Sequence, residues 1–235
     1  MAEILKGAPV AAALSEELIT RAEKLKEAGT VPTLAILRVG ERPDDISYET
    51  GAMKRCDKIG IALGDMVGEL TVGKKKYADV EEDVKALMVR AQELRVKLLE
   101  CINKAAEAFE PLSRAYGIPK DDPTRDEVME KCLRDAAATP LEILDLCCEA
   151  IELQREFAAK GSVLAISDAA TGVVFCQSAM YGAAVNVKVN TKSMKDREYA
   201  AGIDAQVDER MEKYCKMADE VFEKVYGRFC CWQRF

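Results

Sequence analysis

The 235-residue chain contains no histidine. Imidazole base catalysis, Ser-His-Asp triads and histidine-ligated zinc are therefore excluded. Any proton transfer has to use the side chain of Asp, Glu, Lys, Tyr or Cys. None of the nine cysteines forms a Cys-x-x-Cys pair, and most of them lie among apolar residues in helical patterns. We therefore expect no metal site, and we expect reduced cysteines that are buried as small apolar side chains.

The sequence also lacks the features of membrane and nucleic-acid-binding proteins. It has no run of 18 apolar residues, and its N-terminus makes a poor signal peptide. Its 34 basic and 41 acidic residues give a net charge of -7 and leave no broad basic face. These absences predict a cytoplasmic protein whose partners include neither a membrane nor a nucleic acid.

The first 60 residues have a short α-β-α pattern. Apolar residues at helical spacing predict a helix over 8–28, and the apolar run Thr33–Gly40 is typical of a buried strand. Ser47 or Asp45 can cap a second helix, which we expect to end near Gly60. Because one strand cannot satisfy its own backbone groups, the pattern predicts an incomplete folding unit.

From Tyr77 onward the chain has the pattern of long helices. The first is predicted by apolar residues at steps of three and four, with an average spacing of 3.6 that places them all on one face. They are Val80, Val84, Leu87, Ala91, Leu94, Leu98, Ile102, Ala105, Phe109, Leu112 and Tyr116.

Four further helices are predicted after the loop Gly117–Pro123. They span about 124–138, 140–160, 167–190 and 196–226, and Pro140 is placed at a first helical position. The third of them is rich in Ala and Gly, so it is expected to be the central helix or the one that forms a dimer. The predicted fold class is all-α, a long-helix bundle with a short N-terminal α-β-α fragment.

Three short sequences in the N-terminal fragment carry a resemblance. They are the run Leu34–Gly40, the pair Ser47-Tyr48, and Lys54-Arg55-Cys56 leading to Gly60-Ile61. Residues 2–61 resemble the N-terminus of bifunctional methylenetetrahydrofolate dehydrogenase/cyclohydrolase. In that family a tyrosine and a lysine four residues later line the folate site; Tyr48 matches the tyrosine, and Ala52 stands where the lysine would be. No Gly-x-Gly-x-x-Gly occurs, so a dehydrogenase is not expected.

The helical part carries a longer resemblance over residues 64–228, to the cyclodeaminase/cyclohydrolase family of folate enzymes. The matching sequences are Thr71–Tyr77, Ala106–Phe109, Pro140–Ile143, Ala165–Ala169 and Gly182–Asn190. The resemblance implies an all-α bundle of the cyclodeaminase type, a homodimer and a folate substrate. With the first resemblance it divides the chain into residues 1–61, 62–228 and an atypical tail, 229–235.

The reaction that this resemblance implies is hydrolysis of 5,10-methenyltetrahydrofolate to 10-formyltetrahydrofolate. The substrate carbon is already cationic, so the reaction needs an oriented base and a negative group but no metal or other cofactor. The implied catalytic residues are Asp168 as the carboxylate and Lys75 as a proton shuttle. The implied substrate-binding residues are Lys74 and Lys76, which suit the glutamate carboxylates, with Tyr77, Asn186, Asn190 and Tyr48.

Two departures from the family leave alternatives open. The family's Pro-Gly-Gly-Gly loop is missing, and Ala105 stands where the family has an aspartate. The alternatives are a catalytically impaired hybrid or truncated helical dimer, and a formimidoyltetrahydrofolate cyclodeaminase, which releases ammonia from the same fold. In addition, Asp168 and Asn186 lie ~27 Å apart along one helix, so they could serve one site only through a symmetry mate.

Overall fold

The computed structural model describes residues 59–229, all within one compact unit of the chain, Gly40–Phe235. This part of the chain consists of helices, turns and loops and contains no β-strand, so the predicted all-α class is confirmed. The predicted α-β-α fragment, Tyr48 and residues 230–235 of the tail lie outside the described residues.

Five α-helices and two short 3-10 helices make up the described part. They are α1 (residues 59–69), a 3-10 helix (Lys75–Val80), α2 (Glu81–Ala115), α3 (Arg125–Lys160), a 3-10 turn (Val163–Ala165), α4 (Ile166–Ser193) and α5 (Arg197–Tyr226).

Short loops make consecutive long helices antiparallel neighbours. α3 packs on α2 and on α4, and α4 packs in turn on α5. Three cross-helix ion pairs fix the register of α2 on α3: Asp83–Lys160 at 2.9 Å, Arg90–Glu149 at 3.2 Å and Lys104–Glu142 at 2.6 Å. α3 and α5 run parallel, as two contacts in the same order along both helices show. Asp145 pairs with Arg210, and Glu152 accepts a hydrogen bond from Tyr214.

The interior face of α2 differs from the predicted one. Ile102, Phe109 and Tyr116 are 38%, 50% and 56% exposed. The buried and half-buried positions instead follow steps of three and four without drift: Val84, Leu87, Ala91, Leu94, Leu98, Cys101, Ala105, Ala108, Leu112 and Ala115. This spacing averages 3.5 rather than 3.6, which keeps the seam facing one long antiparallel partner. Beyond Leu98, the predicted residues Ala105 and Leu112 lie on the seam, whereas Ile102, Phe109 and Tyr116 lie off it.

The predicted break at Pro140 is wrong. α3 is one helix of 36 residues with Pro140 in its interior. A proline there removes one backbone hydrogen bond and costs about 3 kcal/mol. Buried side chains on both sides, among them Ala137, Ile143 and Leu144, offset that cost by packing against the neighbouring helices.

The helix end that we expected near Gly60 is not found there, because residues 59–69 form one helix, α1. Gly60, Gly64 and Gly68 recur every four residues on one face of α1. A Cβ atom on them would lie 2.6 Å from Cys176 Sγ, 2.7 Å from Gln154 Nε2 and 2.6 Å from Met88 Cγ, respectively. These glycines serve close helix packing rather than helix termination, and they seat α1 against α4, α3 and α2. α1 also crosses the boundary between residues 61 and 62 at which the two resemblances meet.

α3 rather than α4 is the central helix of the described part, because it packs on α2, α4 and α5, whereas α4 packs on α3 and α5. The inner face of α4 is built from small side chains such as Ala169, Ala179 and Ala183, all at most 2% exposed. The segment Val163–Ser193 is long and apolar enough to cross a membrane by length and composition alone, but half of its most apolar window is buried inside the bundle. Core helices of helical bundles have the same character.

Cysteines fill the interior as expected from their sequence context. Cys101, Cys132, Cys147, Cys148 and Cys176 are buried, and Cys215 is half-buried. Burial raises the pKa of the Cys148 thiol to about 12, so this thiol stays protonated. Cys56, Cys230 and Cys231 lie outside the described residues.

Candidate active site

The lysine run follows a turn rather than ending a helix. α1 stops at residue 69, and Gly73 adopts a left-handed φ of 76°, which glycine accepts without strain. The Gly73 N–H donates to the Glu81 carboxylate at 3.2 Å. Lys74, Lys75 and Lys76 are all exposed. Because they come after the helix and its turn, their role is not that of a C-terminal helix cap, and long helix α2 starts at Glu81 rather than Tyr77.

Two hydroxyl groups join this turn to the start of α4. The Thr71 hydroxyl is fully buried; it donates to the Val67 carbonyl at 2.6 Å and accepts the Ser162 N–H at 2.7 Å. The Tyr77 hydroxyl accepts the Val163 N–H at 3.0 Å. Gly161 lies so close to α1 that a Cβ atom on it would be 2.3 Å from Val67 Cγ1. The segments 71–77 and 161–163 are therefore held together, although some 90 residues separate them.

A cleft of about 390 Å³ lies where these segments meet. Three cations from different parts of the chain line it, namely Lys76, Lys160 and Arg228. The remaining lining residues are Tyr77, Asp79, Val80, Ala158, Ala159, Gly161, Val163 and Ile166. Lys160 is engaged by Asp83 at 2.9 Å and Glu156 at 3.4 Å. Within residues 59–229, Lys76 and Arg228 have no ion pair, so they remain available to an anionic group.

The cleft stabilises the charged form of its tyrosine. The Val163 amide is the main cause that lowers the pKa of Tyr77, assisted by the Ser162 hydroxyl and by the charges of Lys76 and Lys74. Lys76 Nζ lies 5.5 Å from the centre of the Tyr77 ring. The phenol thus lies beside a backbone amide and two lysines, in a cleft that Asp79 also lines.

The structure brings most of the implied site residues to one end of the bundle. Lys76 and Tyr77 line the cleft, and Lys74 and Lys75 precede them. Asp168 is half-buried in the first turn of α4, two residues beyond the cleft residue Ile166. We call this region, Thr71–Tyr77 with Lys160–Asp168 and Arg228, the lysine end. Lys75 is exposed and is not among the residues that line the cleft.

The two asparagines lie at the other end. The Asn186 side chain donates to the Gly182 carbonyl at 2.9 Å, and the Asn190 side chain donates to the Asn186 carbonyl at 2.9 Å. Ala105 lies 24 residues along α2 from Glu81, or about 36 Å from the start of that helix. We call the region of Ala105 and Asn186–Arg197 the asparagine end. Within one chain neither asparagine nor Ala105 can reach the cleft.

A second cleft, of about 410 Å³, lies between α4 and α5 near the asparagine end. Its lining combines apolar side chains with Lys188, Lys192 and Asp208, and Lys188 pairs with Asp208 at 2.5 Å. The other lining residues are Tyr181, Ala184, Val185, Val189 and Met211. No sequence pattern indicated this cleft.

Several residues at the lysine end could not be identified from the sequence. Thr71 is part of the matching sequence Thr71–Tyr77, but nothing in it distinguishes a buried bridging hydroxyl. Ser162, Lys160 and Arg228 acquire their place only through contacts between distant segments, which leave no local pattern.

Two family models match the chain. Residues 56–209 match the formiminotransferase-cyclodeaminase model, and residues 5–88 match the catalytic domain of tetrahydrofolate dehydrogenase/cyclohydrolase. The two matches overlap over residues 56–88, which include α1 and the lysine run.

Individual relatives match the same two parts of the chain as the two family models. The methenyltetrahydrofolate cyclohydrolase of Methylorubrum extorquens is 33% identical over 182 residues, which cover 76% of this chain and 88% of the relative. The formimidoyltransferase-cyclodeaminase of Sus scrofa is 25% identical over 72% of this chain, but the match spans only 32% of that protein. The bifunctional protein FolD of Alkaliphilus oremlandii is 61% identical over 61 residues, which are 26% of this chain and 21% of FolD.

A solved structure agrees with the fold of the bundle. The formiminotetrahydrofolate cyclodeaminase of Thermotoga maritima superposes with a TM-score of 0.65 at 23% identity, covering 76% of this chain and 88% of the other. Since the family model covers residues 56–209 and the M. extorquens relative matches over most of its length, the chain belongs to the formiminotransferase-cyclodeaminase family.

Proposed function

We propose that this protein is a folate enzyme of one-carbon metabolism that hydrolyses 5,10-methenyltetrahydrofolate to 10-formyltetrahydrofolate in the cytoplasm. The observation that carries the proposal is the cleft at the lysine end, where Lys76 and Tyr77 meet the start of α4 beside Asp168. The similarity to the M. extorquens cyclohydrolase over 88% of that enzyme supports this choice of reaction.

The chemistry requires a small set of groups. Water adds to the cationic methenyl carbon, and a base takes one of its two protons. The other proton leaves the hydroxyl of the tetrahedral intermediate as the formyl C=O forms, the C–N5 bond breaks and N5 takes up a proton, so one proton is released overall. Asp168 supplies the carboxylate that attracts the cation and orients the water. Lys75 returns the proton, while Lys74 and Lys76 hold the glutamate carboxylates and Tyr77 contacts the substrate. Neither a metal nor another cofactor takes part.

A spectroscopic assay tests the proposed reaction. Methenyltetrahydrofolate absorbs in the near ultraviolet and its hydrolysis product does not, so purified protein should accelerate the loss of this absorption over buffer. No acceleration over buffer would refute the proposal and favour the catalytically impaired hybrid. In that case Ala105→Asp, which restores the family's carboxylate, is the variant expected to gain activity.

The cyclodeaminase reaction is the second candidate, supported by the structural similarity to the T. maritima enzyme. It differs in one product, because formiminotetrahydrofolate releases ammonia when it cyclises. Coupling the assay to an ammonia sensor separates the two reactions. Chromophore formation with ammonia release from the formimino substrate would replace hydrolysis as the primary activity.

We also propose that the working form is a homodimer paired through α4. Thr171, Val174, Ser178, Tyr181, Val185 and Val189 form one exposed stripe along α4. Val185 and Val189 are each 62% exposed, and residues 169–187 contain no charged side chain. An uncharged stripe that runs most of the length of a helix suits a second copy of the same surface.

Charge fixes the direction of this pairing. Asp168 is the charged residue at one end of α4, and Lys188 and Lys192 are those at the other. An antiparallel two-fold pair centred between Ser178 and Tyr181 sets Asp168 opposite the partner's Lys192. The same arrangement brings the partner's Asn190 to the lysine end. Each cleft would then combine Asp168 of one chain with the asparagines of the other, which lie too far from it within a single chain.

Disulfide trapping tests this register. A Ser178→Cys variant lies next to the two-fold axis, so it should form a covalent dimer through residue 178 under mild oxidation. Val189→Cys is the matched control, because its two copies would be ~28 Å apart. Peptide mapping distinguishes these links from those of the natural cysteines. Equal trapping of both variants through the new cysteine, or a monomer by light scattering, would contradict the proposed pairing.

A further inference from the structure

The turn that starts α4 is poorly held by apolar packing. Val163 and Leu164 are 52% and 87% exposed, so burial of their side chains contributes little to the position of the 3-10 turn Val163–Ala165. This turn nevertheless determines where α4 begins, and therefore where Asp168 lies. Of the three side chains in the turn only Ala165 is buried, at 2% exposed, so polar contacts of the backbone are needed to hold Ser162 and Val163.

The first such contact is the buried Thr71 hydroxyl. Its single proton is committed to the Val67 carbonyl at 2.6 Å, which turns an oxygen lone pair toward the Ser162 N–H at 2.7 Å. Both Thr71 and Ser162 are at most 1% exposed. Because water cannot replace either bond there, loss of the hydroxyl leaves a buried N–H without an acceptor.

The second contact is the Tyr77 hydroxyl. It accepts the N–H of Val163, the next residue along the turn, at 3.0 Å. Two successive backbone amides are thus fixed by two side chains from the segment that carries the lysine run. The Ser162 and Val163 amides precede Asp168 by only a few residues. The two hydrogen bonds therefore set the start of α4 relative to Lys74–Lys76.

We infer that Thr71 and Tyr77 are positioning residues, whose hydroxyls hold the Ser162-Val163 backbone and thereby place Asp168 relative to the lysine run. In this role Tyr77 acts through the protein backbone rather than through contact with substrate alone. The catalytic consequence rests on the proposed hydrolase function, whereas the structural consequence can be measured without it.

Hydrogen exchange of single amides, followed by NMR, tests the structural part. Thr71→Val should speed exchange of the Ser162 amide about tenfold, and Tyr77→Phe should do the same for Val163, because each loses one hydrogen bond. Both variants should also move the carbon chemical shift of the Asp168 carboxyl. Thr71→Ser keeps the hydroxyl and should retain the parent exchange rate. Unchanged exchange at both amides, or an unmoved Asp168 signal, would overturn the inference.

Steady-state kinetics test the catalytic part. Thr71→Val and Tyr77→Phe should lower kcat about tenfold at nearly constant KM, since a misplaced catalytic group reduces rate more than binding. Thr71→Ser should recover most of kcat, and Tyr116→Phe, an exposed tyrosine at the far end of α2, should equal the parent. A rise in KM alone for Tyr77→Phe would show that Tyr77 acts as a substrate contact and would contradict its role in positioning Asp168. If the parent chain is inactive, the proposed function fails, while the exchange and carboxyl signals still decide the inference.

Discussion

The two ends of the bundle use their polar groups in opposite ways. At the asparagine end, polar side chains are bonded within the protein: Asn186 and Asn190 bond to carbonyls of their own helix, and Lys188 pairs with Asp208. Thr191 donates to Asp204 at 2.7 Å, and Arg197 donates to the Thr191 carbonyl at 2.8 Å.

At the lysine end, by contrast, the Thr71 and Tyr77 hydroxyls are bonded within the protein, and Lys160 is the cation that has ion pairs, whereas Lys74–Lys76 have none within residues 59–229. Thr71 and Tyr77 fix the backbone, while three successive lysines extend into solvent beside a cleft. The comparison supports our proposal that the lysine end receives the ligand, while the polar groups of the asparagine end hold the helices together. The asparagine end gains a part in binding only if a partner chain carries it to the cleft.

The largest difference is expected from carboxylates at the two ends. Asp168→Asn should reduce hydrolysis of methenyltetrahydrofolate by more than about 100-fold, because the loss removes an acid-base group from the reaction. Asp121→Asn, in the exposed loop between α2 and α3, is the control and should match the parent in kcat and KM. An Asp168→Asn variant with parent activity would remove Asp168 from the mechanism.

Alanine in place of a glycine should change the free energy of unfolding in opposite directions at the two ends. Gly64→Ala places a methyl group 2.7 Å from Gln154 Nε2 and 2.8 Å from Phe157 Cδ2, so it should destabilise the fold by about 1–3 kcal/mol. Gly202→Ala on α5 meets nothing within 4 Å and should stabilise the fold by up to about 1 kcal/mol through helix propensity. Urea unfolding measures both. A stabilising Gly64→Ala would show that α1 is not seated as described.

Lysines at the two ends should differ in substrate binding. Lys76→Ala removes a cation of the cleft and should raise KM about tenfold with little change in kcat, because it binds ground state and transition state alike. Lys120→Ala, exposed in the loop Tyr116–Thr124, is the matched control and should leave KM unchanged. Equal rises of KM in the two variants would show that Lys76 acts only through general electrostatic attraction and not as a contact in the cleft.

The smallest difference concerns two carboxyls whose pKa values are shifted in opposite directions. Burial raises the pKa of Asp65 in α1, despite the opposing effects of Arg95 and Gln92. The Tyr199 amide and then Arg134 lower the pKa of Asp196, which caps α5 at the asparagine end.

The sign of the stability effect follows for each carboxyl. Asp65 in its charged form is disfavoured by folding, so stability is lost as the pH rises from about 3.9 through the raised pKa. Asp65→Asn should therefore stabilise the protein at pH 7 and have no such effect below pH about 3.5. Asp196 contributes stability above about pH 3.9 that is lost as the pH falls through its lowered pKa, so Asp196→Asn should destabilise at pH 7. Denaturant midpoints at both pH values check the signs, and like signs for the two variants would contradict this assignment.

Helix type and order could be predicted from the sequence, whereas the packing of individual faces could not. Periodicity located α4 and α5 closely; the helix predicted over 196–226 begins at Arg197, and Asp196 is its cap. It failed at Ile102 because a 3.6-residue average cannot be told from a 3.5-residue seam over a few turns. It failed at Pro140 and Gly60 because the same residue types end helices in one context and pack inside them in another.

The site divides in the same way. Lys74–Tyr77 and Asp168 could be chosen from motifs, and the structure places them at one end of the bundle. Thr71, Ser162 and Arg228 could not be chosen, since their roles arise from contacts across most of the chain. Sequence spacing along α4 did indicate that Asn186 and Asp168 cannot share a site within one protomer, and the antiparallel pairing is the consequence that we propose.

The most direct test of the difference between the two ends is a hydrogen-exchange footprint of the bound folate. The protein would be labelled with and without saturating 10-formyltetrahydrofolate, and protection compared peptide by peptide. We expect protection over residues 71–77 and 161–168, with any protection of 186–192 lost in a variant that cannot dimerise. Protection confined to the asparagine end, with none over residues 71–77 and 161–168, would contradict the assignment of the lysine end as the ligand site.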